Sequence, residues 1–513
     1  MAAYAVNLMN QLIAQYSSYW VSDQMIQKYQ AMYGGRMQDI VNAAEQKRLV
    51  KYGELYTLRK YADMENQIVS DIFRLQYVVK ATRYPERRIR FFIDEFERTE
   101  NDGRKLHSHQ ADAVVMVVNN NFSILTGGPG TGKTTVLKAI AYVLRRLKNE
   151  TSIVFTAPTG KAARRIKEST GENAVTIHKK LGLGYSSSNP DNFFEDVLFI
   201  DESSMLDVDI ASALFQAVKS GRKLVLVGDV DQLPSVGPGA ILRDLIRAGL
   251  KTKVIPITML TYTFRQDNGS TLSTNINNIR NGNSRLVSGP DFNPILLPKD
   301  SRENTEARAL QLICSEYKNA VDKYGIENVV VLLPYRRKGI CSNTMNRYLQ
   351  KMMNKNTQCY RHHSSKDNIT IDFKEGDFAM QLDNREECAN GDVGQVISVS
   401  ERGVTVQFID STVTYAGNEL DQLMLAYAIT IHKSQGSEYK ACISCLLDEH
   451  TAMQQRNLLY TGITRSKVEH TFIYQENAFK KAIQTLADEE RISLLVEKMQ
   501  NMQLQYRLRY GCC

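Results

Sequence analysis

The sequence predicts an α/β protein with two parallel-sheet units in series, a small β insert in the second, and a helical region ahead of both. Three observations predict it. Short apolar runs such as Phe122–Leu125, Val197–Ile200 and Val329–Leu333 each end in a loop rich in glycine, carboxylates or cations, as buried parallel strands do. Residues about 373–422 switch to two-residue alternation, with Asn390-Gly391 as a strong turn signal. Residues 1–100 carry the three- and four-residue apolar spacing of helices.

Composition narrows the class. The chain has 513 residues, enough for about three to four domains. Apolar residues make up 43% and charged residues 23%, ordinary for a globular protein. No apolar run reaches the ~18 residues of a membrane span. The N-terminus lacks the basic start of an export signal, and eight cysteines in so large a chain suit a reducing compartment. A cytoplasmic location is therefore expected. The net charge of +8 permits nucleic-acid binding without demonstrating it. No internal repeat or low-complexity tract is present.

In the first hundred residues, helices are expected at Ala5–Tyr16, Ser22–Tyr33 (stopped by Gly34-Gly35), Met37–Gln46, Leu58–Val79 and Pro85–Arg98. Arg48–Leu58 alternates around Gly53 like a short hairpin. Helices followed by a hairpin suggest a winged-helix-like module. It either binds nucleic acid or a partner or, the favoured reading, serves as a packing platform. Arg83, Arg87, Arg88 and Arg90 before Phe91-Phe92 read as a solvated helix face.

The first α/β unit, about 101–265, is organised around Gly127-Gly128-Pro129-Gly130-Thr131-Gly132-Lys133-Thr134-Thr135. It lies between an apolar strand and an amphipathic helix, Val136–Leu147, and has the spacing of a phosphate-binding P-loop. Glycines turn backbone N–H groups toward a polyphosphate, the helix N-terminus adds positive potential, Lys133 reaches the terminal phosphates, and the Thr134 hydroxyl can ligate Mg²⁺. ATP and Mg²⁺ are the expected cofactors. Gln110 offers an acceptor and a donor side by side, the pattern that pairs with adenine. Ser152–Thr156 is a second strand; the loop after it, with Pro158 and Thr159, has the small and hydroxyl residues suited to a phosphate backbone. The Val197–Ile200 strand delivers Asp201 for the metal's water shell and Glu202 to deprotonate the attacking water. Gln232, after a fourth strand at Lys223–Val227, can sense the γ-phosphate, and Arg265 can act as an arginine finger.

These stretches, with Thr176-Ile177-His178, Phe264-Arg265-Gln266, Leu425–Glu438 and Tyr460–Arg465, follow one order over residues 106–475. The set resembles a superfamily 1 helicase, and most closely the RecD-like branch of superfamily 1B. Asp39–Leu75 is also similar to the segment ahead of the motor in longer RecD-like helicases, beside which this chain is shorter at its N-terminus. The resemblance implies two RecA-like P-loop NTPase motor domains (101–265 and 266–475), a β-barrel insert that touches single-stranded DNA, and a strand-separating pin near 183–196. Residues 476–513 are expected to form a helical tail. It further implies that His178, Thr430, His432 and Lys433 face DNA, that Gly436 and Glu438 lie near the nucleotide, and that Arg465 is a second finger. The implied activity is ATP-dependent 5′→3′ translocation on single-stranded DNA, about one nucleotide per ATP, with unwinding of forked duplex by a monomeric motor. Protein partners would belong to repair, recombination or phage replication.

Two other readings stay open. The Gly/Ser/Asn-rich pin stretch is short, which also suits an ATP-switched DNA-binding scaffold that does not unwind alone. An RNA-directed helicase of the same branch is the third; nothing in the chain reads a 2′-hydroxyl, so comparing DNA and RNA stimulation of the ATPase separates the two. Phe193 and Phe194 are the wedge candidates. Cys442 and Cys445 have metal or redox spacing but fall inside an apolar strand, so a core role is expected. Cys359 with His362-His363 lacks a clear fourth ligand, and the terminal Cys512-Cys513 has no supporting membrane signal.

Overall fold

The computed structural model describes residues 2–33, 37–46, 48–183, 193–264, 269–364 and 368–510. The chain divides into two compact units. The first comprises Met1–Pro158, Ala163–Phe264 and Asp488–Cys513; the second comprises Thr159–Ala162 and Arg265–Ala487.

The first unit opens with helix α1 (Ala2–Tyr16), strand β1 (Val21–Ser22), helices α2 (Asp23–Tyr33) and α3 (Met37–Glu45), and the hairpin β2 (Leu49–Tyr52)–β3 (Leu55–Leu58). The hairpin and β1 form a three-stranded sheet in the order β1-β3-β2. Helix α4 (Arg59–Phe73) passes into a π-helical turn, Arg74–Val78, and helix α5 (Glu86–Thr99) follows. Wider turns of this kind leave carbonyls off the helical ladder, and here side chains take them up. Asn121 Nδ2 donates to the carbonyls of Leu75 (3.1 Å) and Val79 (2.6 Å), while Gln76 Nε2 donates to those of Phe122 and Val254. The helical layer is thereby bonded to the start of the strand that leads to the P-loop.

Helix α6 (Ser108–Val118) then enters the first motor sheet. Its elements are β4 (Phe122–Gly127), α7 (Lys133–Leu147), β5 (Ile153–Ala157), α8 (Gly160–Thr170), β6 (Ala174–Thr176), α9 (Ile177–Lys180), β7 (Val197–Ile200), α10 (Val208–Ala217), β8 (Lys223–Gly228), α11 (Ile241–Thr252) and β9 (Ile257–Leu260). The six strands run parallel in the order β6-β5-β7-β8-β4-β9. Strands β4 and β7 are buried at every position, as a sheet covered on both faces requires. One hydrophobic core runs from Ala5 through Ile72, Phe122 and Leu214 to Met499. Residues 1–100 therefore share their core with the motor sheet instead of closing one of their own.

The second unit holds a parallel sheet in the order β10-β21-β20-β11-β19, built from β10 (Phe292–Leu296), β11 (Val329–Leu333), β19 (Ala428–Thr430), β20 (Tyr439–Leu446) and β21 (Ser466–Tyr474). Its helices are α12 (Thr271–Arg280), α13 (Arg302–Tyr324), α14 (Ser342–Met353), α15 (Arg456–Ile463) and α16 (Glu476–Gln484). Between α14 and β19 lie a hairpin, β12 (Tyr360–Ser364) with β13 (Ile369–Phe373), and an antiparallel sheet in the order β17-β16-β15-β14-β18. Those strands are β14 (Phe378–Gln381), β15 (Val393–Ser400), β16 (Gly403–Gln407), β17 (Thr412–Tyr415) and β18 (Leu423–Leu425). Where alternation suggested a barrel over about 373–422, the described residues form an open sheet with β17 and β18 as its edges, and the extra strands begin earlier, at Tyr360. The expected C-terminal tail splits: α16 buries Ala478 and Phe479 in the second unit, while α17 (Leu495–Tyr510) packs on α4 and α11 of the first.

Candidate functional site: the carboxyl edge of the first motor sheet

In parallel sheets, ligands gather where the strands end. Register places the ends of β4, β7 and β8 side by side: Thr126 is level with Gly228, and Ile200 with Leu226. Every nucleotide-site residue expected in the first unit and described in the structure falls on or beside this edge.

The P-loop turns between β4 and α7 through Gly130 (φ +72°) and Gly132 (φ +79°), a region L side chains rarely adopt. A Cβ on Gly127 would lie 2.8 Å from Thr131 Oγ1 and 2.9 Å from the Leu260 carbonyl. The cradle therefore tolerates no side chain at that position. Thr131 Oγ1 donates to the Gly128 carbonyl at 2.9 Å. Lys133 Nζ spans the loop, donating to the carbonyls of Gly127 (2.7 Å) and Gly128 (3.0 Å). Thr134 and Thr135 sit in the first turn of α7, whose cap residue, Gly132, has no side chain. First-turn N–H groups of such a helix suit an anion.

Gln110 is buried beside this loop and bridges two backbones. Its Oε1 accepts from His107 N–H at 3.0 Å, and its Nε2 donates to the Thr131 carbonyl at 3.1 Å. The amide is thus held against the P-loop, with one further donor and acceptor position left. Sequence reasoning missed the aromatic group next to it. His107 stacks on Tyr262 (4.8 Å, 10°), Tyr262 meets Phe264 edge-on at 4.8 Å, and Phe264 N–H donates to the Gly130 carbonyl at 2.8 Å. Tyr262 and Phe264 remain half-exposed. Their clue was the aromatic spacing just ahead of Arg265.

At the end of β7, Asp201 Oδ1 accepts from Glu202 N–H at 2.8 Å. Glu202 itself has φ +51° and ψ +38°, left-handed backbone that costs a non-glycine residue of order 1 kcal/mol or more. That turn aims two consecutive carboxylates away from a fully buried strand. It is packed from below: a Cβ on Gly228 would come within 3.2 Å of the N–H groups of Ser203 and Ser204. After β8, Asp229 is buried and accepts from Asp231 N–H (3.1 Å) and Gln232 Nε2 (3.4 Å), which orients Gln232. His178 is exposed on α9, a short helix capped by Thr176. Pro158 and Thr159 follow β5, and Thr159 Oγ1 accepts from Ala162 N–H.

In the second unit, Thr430 ends β19 and its Oγ1 accepts from Lys433 N–H at 3.4 Å. Lys433 Nζ donates to Asn390 Oδ1 at 2.7 Å, and His432 is half-buried beside it. Gly436 takes φ +72°, and Glu438 pairs with Lys467 at 3.0 Å. Arg465 is buried and gives donors to the carbonyls of Thr461 (2.9 Å) and Ser437 (3.3 Å) and to Thr464 Oγ1. Any reach toward a phosphate exchanges those bonds.

The wedge reading needs correction. Phe193 is 1% exposed and packs in the first unit's core, where its N–H also pairs with the Ala217 carbonyl, so burial of its apolar ring removes it from the surface a wedge needs; Phe194 is 74% exposed. Arg265, Gln266, most of the pin stretch (184–192), Gly34-Gly35 and Cys512-Cys513 lie outside the described residues. Cys442 and Cys445 are buried in β20, where desolvation raises both thiols, Cys442 to about 12. Among the described residues no group of three or more His, Cys, Asp or Glu side chains is arranged to hold a metal ion. No described helix is long and apolar enough to cross a membrane.

Comparison with known proteins adds lineage to this geometry. Residues 110–238 match the family described as an AAA domain, and residues 425–471 match the UvrD-like helicase C-terminal domain. The chain is similar to the ATP-dependent RecD2 DNA helicase of Deinococcus radiodurans, 32% identical over 367 residues that cover 71% of this chain and 48% of that one. It is also similar to the RecBCD enzyme subunit RecD of Mycolicibacterium smegmatis, 27% identical over 478 residues, 85% of this chain and 81% of that one. The chain thus spans about half the length of the first relative. A fainter likeness is to a crystal structure of Bacteroides Pif1 bound to ssDNA, with TM-score 0.46 at 19% identity over 80% of this chain and 97% of the other. Its motifs stand in the order of one lineage and its relatives match most of its length: the chain belongs to the RecD-like branch of the superfamily 1B helicases.

Proposed function

We propose that this chain is an ATP-driven DNA helicase that moves 5′→3′ along single-stranded DNA and opens forked duplex. The observation that carries the reading is the edge of the first motor sheet, where a side-chain-intolerant P-loop after β4 and the left-handed turn at Glu202 after β7 flank the end of β8.

ATP phosphates lie in the loop 127–132 against Lys133, with adenine near Gln110 and the half-exposed rings of Tyr262 and Phe264. Thr134 and Asp201 are the residues that would hold Mg²⁺, whose charge offsets that building on the phosphates. Glu202 takes the proton of the attacking water, and Gln232 orients it. Arg265 and Arg465 are the finger candidates, and Gly436 and Glu438 line the nucleotide's second-unit side. Pro158 and His178 grip DNA in the first unit, and Thr159, Thr430, His432 and Lys433 in the second. A ligand moves a motor only by favouring one state over another, so ATP and its products must bind the two states of these grips unequally. The named relatives are a DNA helicase and a subunit of the RecBCD enzyme. The open insert sheet would add a DNA contact, and a protein partner is a natural extension.

The burial of Phe193 favours one second reading, an ATP-switched DNA-binding subunit that does not unwind alone. The test is unwinding of a duplex carrying either a 5′ or a 3′ single-stranded tail, with Lys133→Ala as control. Opening of the 5′-tailed substrate alone is expected. Opening of the 3′-tailed one alone overturns the polarity. Failure of both, with ATP turnover still stimulated by single-stranded DNA, selects the switch. Stronger stimulation by RNA of the same sequence would redirect the substrate assignment. In the same assay Glu202→Gln should bind ATP and turn it over at least about 100-fold more slowly; normal turnover would remove Glu202 as the base.

A further inference from the structure

The second unit contains a cleft that the nucleotide site and the candidate DNA grips do not use. It has a volume of about 540 Å³ and lies between α14 and the hairpin strand β13, with β18 below. Its rim carries Arg337, Lys338, Arg347, Lys351 and Lys374. The one carboxylate that lines it, Asp372, is already held by Arg361 through paired bonds of 2.8 and 3.0 Å. Its apolar wall is aliphatic: Ile369, Ile371, Met424 and Leu425.

Two details show how such a cleft would be filled. The Asp372 carbonyl accepts from Gln350 Nε2 at 2.7 Å. That edge of β13 therefore turns away from β12 and toward α14. Residues two apart in a strand present their backbone groups on the same side, so Thr370 offers its N–H and C=O along the same edge. At the mouth, Lys338 holds φ +73° beside Gly339 at φ +61°, strain of the kind concentrated at binding sites.

We propose that this cleft docks an extended acidic–aliphatic peptide segment of another protein, which adds a strand to β13. The edge at Thr370 supplies main-chain hydrogen bonds, the aliphatic wall takes alternate side chains, and the cationic rim takes the carboxylates. Single-stranded nucleic acid answers the charge alone. Sites for it stack bases on aromatic rings, and among the described residues no aromatic ring lines this cleft. A phosphodiester chain also has no complement to a strand edge.

The experiment measures fluorescence anisotropy of a labelled Asp-Asp-Asp-Ile-Ser-Ile peptide on the full chain without nucleotide, with Lys-Lys-Lys-Ile-Ser-Ile as control. The acidic peptide should bind and the basic one should not. Arg347→Glu with Lys351→Glu, two exposed positions on α14, should weaken binding by about tenfold or more. Thr370→Pro, which deletes an edge N–H where proline is tolerated, should do the same with unchanged melting temperature. No binding to the wild type, or equal binding to both variants, overturns the proposal. Displacement of the peptide by oligothymidylate would make the cleft a nucleic-acid groove and overturns it equally. None of these readouts depends on ATP turnover or unwinding.

Discussion

Each unit is built round a fully buried carboxylate, and the two are satisfied differently. In the first unit Glu65 accepts from Tyr19 Oη (2.9 Å), Trp20 Nε1 (3.0 Å) and Leu494 N–H (2.7 Å), and pairs with Lys498 Nζ at 2.8 Å. In the second, Asp377 accepts from Asn354 Nδ2 (2.7 Å), Tyr427 Oη (2.8 Å), Lys374 N–H (2.8 Å) and Gln350 Nε2. Glu65 has a cation and draws on both ends of the chain. Asp377 has only uncharged donors, none more than 50 residues away in sequence, and burial raises its pKa despite those bonds. A buried charge is tolerated when paired or fully hydrogen-bonded. The difference teaches that the first unit is closed by a clamp between distant segments, whereas the second locks its insert to α14 locally. Trp20 also bridges to Ile492, and Arg491 Nη1 donates to the Gly239 carbonyl at 2.7 Å.

This contrast can be broken at several points. The largest effect should come from the first unit's nucleotide edge. Lys133→Ala should abolish ATP turnover, by at least about 100-fold, with the melting temperature unchanged, since Lys133 bonds only to its own loop in this structure. Retained turnover would remove this site from the chemistry. Next is the clamp itself. Glu65→Ala leaves Lys498 and three other donors without their acceptor, and should cost about 3–5 kcal/mol in denaturant melts. A loss below about 1 kcal/mol would show that the C-terminal helix is not held through Glu65.

The second unit should respond to acid instead. His450 and His470 are buried there, and desolvation lowers their pKa values to about 4 and about 3. His450 Nδ1 accepts from Leu447 N–H at 3.0 Å while Nε2 faces the Ile340 carbonyl at 3.1 Å, which defines a neutral ring. His470 lies between Ser444 Oγ (2.7 Å) and Ser466 Oγ (2.8 Å). Unfolded histidine titrates near 6.5, so below that pH the unfolded chain binds more protons and stability falls. The slope should be about 1.4 kcal/mol per pH unit for each histidine until the folded pKa is reached. Melting followed from pH 7 to 4.5 checks this, and His470→Gln should flatten the curve. The smallest effect belongs to Phe194, which should change stability by less than about 0.5 kcal/mol when truncated to alanine, whereas Phe193→Ala should cost about 3–5 kcal/mol. A fall in unwinding rate with Phe194→Ala at normal ATP turnover would keep a wedge role for that ring.

What the sequence determined alone was local. The P-loop, the Asp201-Glu202 strand end and the helices and hairpin of residues 1–100 were legible because each is set by spacing over a few residues: glycines where φ is positive, apolar strands buried on both faces, three- and four-residue periodicity. Tertiary structure decided what depends on partners far away in the chain. Phe193 and Phe194 are indistinguishable by composition, and only packing against the first unit's core separates the buried ring from the exposed one. Nothing in the spacing of the Leu58–Val79 helix singles out Glu65; its burial follows from Trp20 and Lys498 closing over it. The alternation over 373–422 identified strands but not their closure, because period two gives each strand a face and says nothing about which edges meet. The cleft beside β13 was invisible for the same reason. Its cations and its strand edge come from segments separated in sequence, and only packing of the hairpin against α14 brings them to one place.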